Sequence, residues 1–186
     1  MTKIMASSEI VEFIVKKLWN GPNTLNSPKK WTGFVKDALR SKFKNSRCYT
    51  SSLSGADREY LVDICLAEEC ESSHKPAFRH ANLLLAVECE WDGRSDERCY
   101  DFAKLADIRA KRKLFIGAIP SKSWNTRDTI IAEMLAYINQ HRLIPDGEEY
   151  AVVLNGYGTK QSLYGWVLKK NNSKARLIVK KTELKC

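Results

Sequence analysis

The stretch LLLAVECEW, residues 83–91, constrains the fold of this chain more than any other. A continuous apolar run of this kind reads as a strand buried inside a sheet, where an uncompensated charge is costly unless it is paired or holds a metal. Yet the run drives straight into Glu88 and Glu90, which period-two alternation puts on one face. The rest of the chain must therefore supply further strands and helices to cover them.

Helical periodicity supplies two elements ahead of this strand. Ile10, Phe13, Ile14 and Leu18 predict a helix over 8–19, with Ser7 or Ser8 as its cap. Ser27-Pro28 opens a second helix whose apolar stripe is Trp31, Phe34, Val35, Ala38, Leu39 and Phe43. Residues 46–53 then read as a modest strand and EYLVDICLAEE, 59–69, as a stronger one. In the latter, Tyr60, Val62, Ile64 and Leu66 are expected on one face and Leu61, Asp63 and Cys65 on the other. After the 83–91 strand, CYDFAKLADIRAKR reads as a helix, KLFIGAIP as a short strand that Pro120 stops, and 127–141 as an amphipathic helix. The C-terminal third reads as two or three strands, with Asn155-Gly156 and Asn171-Asn172 as turn signals. The expected class is α/β, a mixed sheet flanked by helices, in a single domain over residues 1–186.

With 186 residues, 44% apolar and 28% charged, the chain can bury a core and is not of disordered composition. Lysine and arginine outnumber aspartate and glutamate by 31 to 22, a net charge of +9 that favours a polyanionic partner. The N-terminal MTKIMASSEIVEF has no apolar signal block, and no run approaches the ~20 apolar residues of a bilayer span. The expectation is a cytoplasmic chain, away from membranes, with its six cysteines reduced.

Asp63, mid-strand in the expected neighbour of 83–91, would bring a third carboxylate to Glu88 and Glu90. Mutual repulsion among three acids raises their pKa values or calls for a cation, and an all-oxygen set suits Mg²⁺ or Mn²⁺ better than a soft metal. Such a cation can generate hydroxide from water and neutralise charge on a phosphate.

This arrangement resembles the PD-(D/E)xK nuclease superfamily, the restriction-endonuclease-like fold. The resemblance lies in a helix, three strands with Asp63 on the second and Glu88-x-Glu90 on the third, then the helix CYDFAKLADIRAKR and the strand KLFIGA. It covers about residues 28–120, a core in the order α-β-β-β-α-β, to which an N-terminal helix is added and on which a C-terminal helix and strands, 121–186, would pack. The resemblance implies that Asp63 and Glu88 hold a metal, with the carbonyl of Cys89 as a further ligand. Two positions depart from the family pattern: Val62 stands where the proline would be, and Glu90 where the lysine would be. Either Glu90 serves as general base, or Lys104 from the following helix replaces the lysine, or the site is inactive.

The implied function is divalent-metal-dependent hydrolysis of nucleic acid, a DNA endonuclease in the leading reading. Two rivals stand beside it: an inactive nuclease-like module that binds nucleic acid or a partner protein, and an α/β module whose acids merely pair with basic side chains. Lys75 and Arg79, between the two acidic strands, are candidates for phosphate contacts. So are Lys169, Lys170 and Lys174 near the C-terminus, although a charged edge strand would carry the same residues. The basic set Lys29, Lys30, Lys36, Arg40, Lys42 and Lys44 on the second helix has the same two readings. A homodimer would suit the cutting of both strands of a duplex. Cys65, Cys70, His74 and His80 match no common zinc spacing, GYGTK lacks a phosphate-loop pattern, and no serine or cysteine sits in a nucleophile elbow.

Overall fold

The computed structural model describes residues 4–22, 27–44, 46–50, 62–68, 83–91, 95–119, 126–156, 162–172 and 174–185. Their order is α1 (Ser7–Trp19), α2 (Pro28–Lys42), β1 (Ser46–Thr50), β2 (Ile64–Glu68), β3 (Leu83–Glu90), α3 (Ser95–Asp107), β4 (Arg112–Ile119), α4 (Thr126–Gln140), β5 (Glu149–Gly156), β6 (Ser162–Asn171) and β7 (Lys174–Lys185).

The helix ends follow local chemistry. Ala6, rather than Ser7 or Ser8, is the cap of α1, and the Glu9 carboxylate accepts its main-chain N–H at 2.7 Å. Ser7 is engaged elsewhere, since its hydroxyl donates to Glu149 of β5 at 2.9 Å. Ser27 caps α2 by accepting from the Lys30 N–H, with Pro28 in the first turn. Helix α3 starts four residues before the expected Cys99, with Asp96 and Glu97 placed where the helix dipole favours acids. It ends at Asp107 and does not run on to Arg112, because Arg112 already opens β4.

All seven strands form one sheet, in chain order from β1 to β7. The first three are antiparallel neighbours, β3, β4 and β5 run parallel, and β6 and β7 return antiparallel. Each parallel pair needs a crossover, and two crossovers of one hand made in the same direction put α3 and α4 on the same face of the sheet. Helices α1 and α2 cover the other face.

Alternation along the central strands sorts the core into two layers. Leu85, Val87, Leu114, Ile116, Ala151 and Val153 pack with Ile10, Ile14, Val35 and Leu39 of α1 and α2. Ala86, Phe115, Tyr150, Val152 and Leu154 pack with Phe102, Leu105, Ile130 and Met134 of α3 and α4. This double cover explains why β3 is apolar without interruption until its acids. Gly165 of β6 lets α1 lie close, since a Cβ there would stand 2.2 Å from Val11.

Two sequence expectations need correction. Asp63 precedes β2 in a bend instead of lying mid-strand, so period-two alternation does not extend back through it. Val62 consequently packs in the layer of α3 and α4, away from Ile64 and Leu66. Tyr60, Leu61 and the GYGTK turn from Tyr157 onward lie outside the described residues, while Asn172, at φ 50°, makes the expected turn between β6 and β7.

Candidate functional site

Asp63 stands one residue before the Ile64–Val87 pair of the β2–β3 ladder, level with Glu88. Its carboxylate accepts the main-chain N–H of Cys89 at 2.9 Å and so extends the ladder by one side-chain bond. A strand residue turns its N–H and C=O toward the same neighbour, so the Cys89 carbonyl faces the Asp63 edge as well.

Glu88 points to the opposite layer from the Cys89 side chain and is 1% exposed. Lys104 of α3 reaches it from above, its ammonium 3.0 Å from Glu88 Oε1 and 2.7 Å from Asp101 Oδ1. Burial, followed by repulsion from Asp63 and opposed by Lys104, pushes the Glu88 carboxyl from its ordinary 4.5 up to about 8. Burial also raises Asp63, against the pull of the Cys89 N–H and of a hydrogen bond with Glu88, while Asp101 adds repulsion. For Lys104, burial works downward, but the bonds to Asp101 and Glu88 outweigh it and hold the ammonium above its ordinary value. Lys104 is thus the resident counter-ion of a carboxyl pair that burial disposes to keep its protons.

Glu90 ends β3 on the same face as Glu88 and is partly exposed. The expected convergence of Asp63, Glu88 and Glu90 into one metal cluster is not formed. Among the described residues, no group of three or more His, Cys, Asp or Glu is arranged to hold a metal. Asp101 of α3 is an acid whose charge acts on both Asp63 and Glu88. Two carboxylates nevertheless fit Mg²⁺, which is commonly held by one or two acids with water and substrate phosphate completing its shell. Asp63, Glu88 and the Cys89 carbonyl form a hard-oxygen set of that size.

The far side of β3 anchors this geometry. Trp91, just past Glu90, stacks on Trp31 of α2 at 5.8 Å between ring centroids, and its indole N–H donates to Thr32 at 2.9 Å. Burial, with the charges of Asp63 and Glu88 behind it, pushes the Cys89 thiol well above its ordinary range, which leaves no thiolate for nucleophilic work.

The expected phosphate-binding cations divide. Lys75 and Arg79 lie outside the described residues. Lys174 is exposed, and Lys169 pairs with Glu149 at 3.2 Å. Lys170 is a correction: it is 5% exposed, and its ammonium donates to the carbonyls of His141 and Ile144 beyond α4, a capping role that removes it from the surface. Lys29 and Lys30 are exposed in the first turn of α2, next in sequence to Trp31, the ring that stacks on Trp91 past the end of β3.

Sequence reasoning missed Asp101, although its spacing of three residues before Lys104 on one helix face was a usable signal. It also missed Lys113 of β4, which is 2% exposed and donates to Glu148 at 2.7 Å and to the Ala106 carbonyl at 2.6 Å. No local pattern marks a lysine inside an apolar strand as the cap of a helix end. No helix among the described residues is long and apolar enough to cross a membrane. No family model, curated protein or solved structure matches the chain.

Proposed function

We propose that this protein hydrolyses phosphodiester bonds of nucleic acid with a divalent cation, Mg²⁺ or Mn²⁺, and that DNA cut internally is its substrate. The observation that carries this reading is the side-by-side placement of Asp63 and Glu88 at the end of two antiparallel neighbours, with Lys104 beside them. The order α2-β1-β2-β3-α3-β4 supports a restriction-endonuclease-like core, with α1 added before it and α4 and β5–β7 after it.

Each residue has a distinct task in this reading. Asp63, Glu88 and the Cys89 carbonyl hold the cation. When bound, that cation supplies an activated water and neutralises charge on the phosphate. Glu90, at the partly exposed end of β3, accepts the proton of the attacking water, and Lys104 balances charge on a phosphate oxygen. The exposed Lys29, Lys30 and Lys174 contribute to holding the phosphate backbone. Two copies acting together would cut both strands of a duplex.

One observation favours a second reading, a module that binds nucleic acid without cutting it: Lys104 already supplies a cation to Glu88, and no lysine stands at position 90. Titration of Mg²⁺ and then Mn²⁺ by calorimetry, beside a supercoiled-plasmid nicking assay, separates the two. Metal uptake and nicking that both vanish in Asp63→Asn support the nuclease. Salt-sensitive DNA binding with neither metal uptake nor nicking overturns it in favour of the binding module.

A further inference from the structure

We infer that Asp101 is a positioning residue for Lys104: its carboxylate keeps the ammonium at the mouth of the Asp63–Glu88 site, so that Lys104 can release Glu88 without leaving. The inference rests on the metal-dependent reading above and assigns a role to a residue outside its ligand set.

The geometry is that of a cation held at two levels. Lys104 lies one helical turn after Asp101 on α3 and is 27% exposed, more than either of its acids, Asp101 at 15% and Glu88 at 1%. The shorter contact, 2.7 Å, is to the outer acid and the longer, 3.0 Å, to the inner one. The ring of Tyr100, itself 64% exposed, lies 5.4 Å from the same ammonium. Asp101, Glu88 and Tyr100 thus all contact one lysine head, from two elements.

A carboxylate that takes up a second cation cannot keep the ammonium as well, because two positive charges at contact distance repel. A lysine without another partner would then carry its ammonium into water on its flexible stem. Asp101 supplies that partner. Its position is otherwise unfavourable, since its charge acts against ionising both Asp63 and Glu88. A surface pair at this helical spacing would also not need to reach an acid on a neighbouring strand.

Amine-selective acylation at limiting reagent, read by mass spectrometry of the peptide carrying Lys104, tests this directly. It is run on wild type, Asp101→Asn and Asp101→Glu, each with and without Mg²⁺. Wild type is expected to label slowly in both conditions. In Asp101→Asn, labelling rises about fivefold, the factor for a partly exposed ion pair, and rises further with Mg²⁺; Asp101→Glu returns it toward wild type. In the nicking assay, Asp101→Asn lowers kcat with KM little changed, and Asp101→Glu restores it. Labelling of Asp101→Asn at the wild-type rate in both conditions, in a protein of unchanged melting temperature, overturns the inference. If wild type neither binds Mg²⁺ nor nicks DNA, the metal-dependent reading falls and the release step falls with it. The labelling without Mg²⁺ still decides whether Asp101 holds Lys104.

Discussion

The Asp63 carboxylate accepts the Cys89 main-chain N–H at 2.9 Å, so the acid in the bend before β2 is fastened to the strand that carries Glu88. An asparagine can accept the same bond through its amide oxygen, yet it lacks the charge a divalent cation requires. Asp63→Asn is therefore expected to keep its melting temperature within a few degrees while losing at least about 100-fold in Mg²⁺ affinity and in cutting. Calorimetry and plasmid nicking check both, and salt-sensitive DNA binding should survive or tighten as repulsion toward phosphate falls.

Glu88 predicts how stability depends on pH. Its folded pKa, about 8, lies above its ordinary 4.5, so the folded state holds the proton more tightly. The associated stability is fully present below the ordinary value and is lost as pH rises through the folded one. Glu88→Gln removes that titration. Its melting temperature should exceed that of wild type by a margin that grows from about pH 4.5 and levels off above about pH 8, as thermal melts across the range will show.

Lys104 and Glu88 should be coupled only where Glu88 is ionised. In a double-mutant cycle of Lys104→Met and Glu88→Gln, the interaction energy is expected near zero at about pH 6 and about 1 kcal/mol or more at about pH 9, Lys104 being partly screened by solvent. Denaturant unfolding at the two pH values measures it.

Lys113 tests a purely architectural charge. Its ammonium joins the end of α3 to Glu148 and lies 5.1 Å from the Tyr150 ring, whose hydroxyl donates to the same Glu148 carboxylate. Lys113→Met should cost about 2–4 kcal/mol, somewhat less than a fully buried pair because Glu148 keeps some access to water. Nucleic-acid affinity, measured on the folded variant, should not change.

Gly165 tests how α1 seats on the sheet. A Cβ there would stand 2.2 Å from Val11 Cγ1 and 3.3 Å from Val15 Cγ2. Gly165→Ala is expected to destabilise by about 1–3 kcal/mol, with partial recovery when Val11→Ala is added, since the second change vacates the volume the first one needs.

What the sequence determined by itself was the arrangement of elements. Apolar periods of 3.6 and 2 reflect which side of each segment faces a core, and so the four helices, the central strands and the α/β class were legible before any contact was known. The Ser27-Pro28 helix start was equally local, because a cap bonds to its own first turn. Alternation also put Glu88 and Glu90 on one face of β3. Tertiary structure alone decided what those acids meet. Asp63 lies in a bend, where strand periodicity carries no information, and its side chain finds Cys89 only because β2 and β3 pair in one register. Ala6 caps α1 while the Ser7 hydroxyl is drawn to Glu149, 142 residues away, and Lys170 and Lys113 serve helix ends that packing brings to them. That Asp101 acts on the pair depends on where α3 crosses β3, and no spacing within a single strand encodes that crossing.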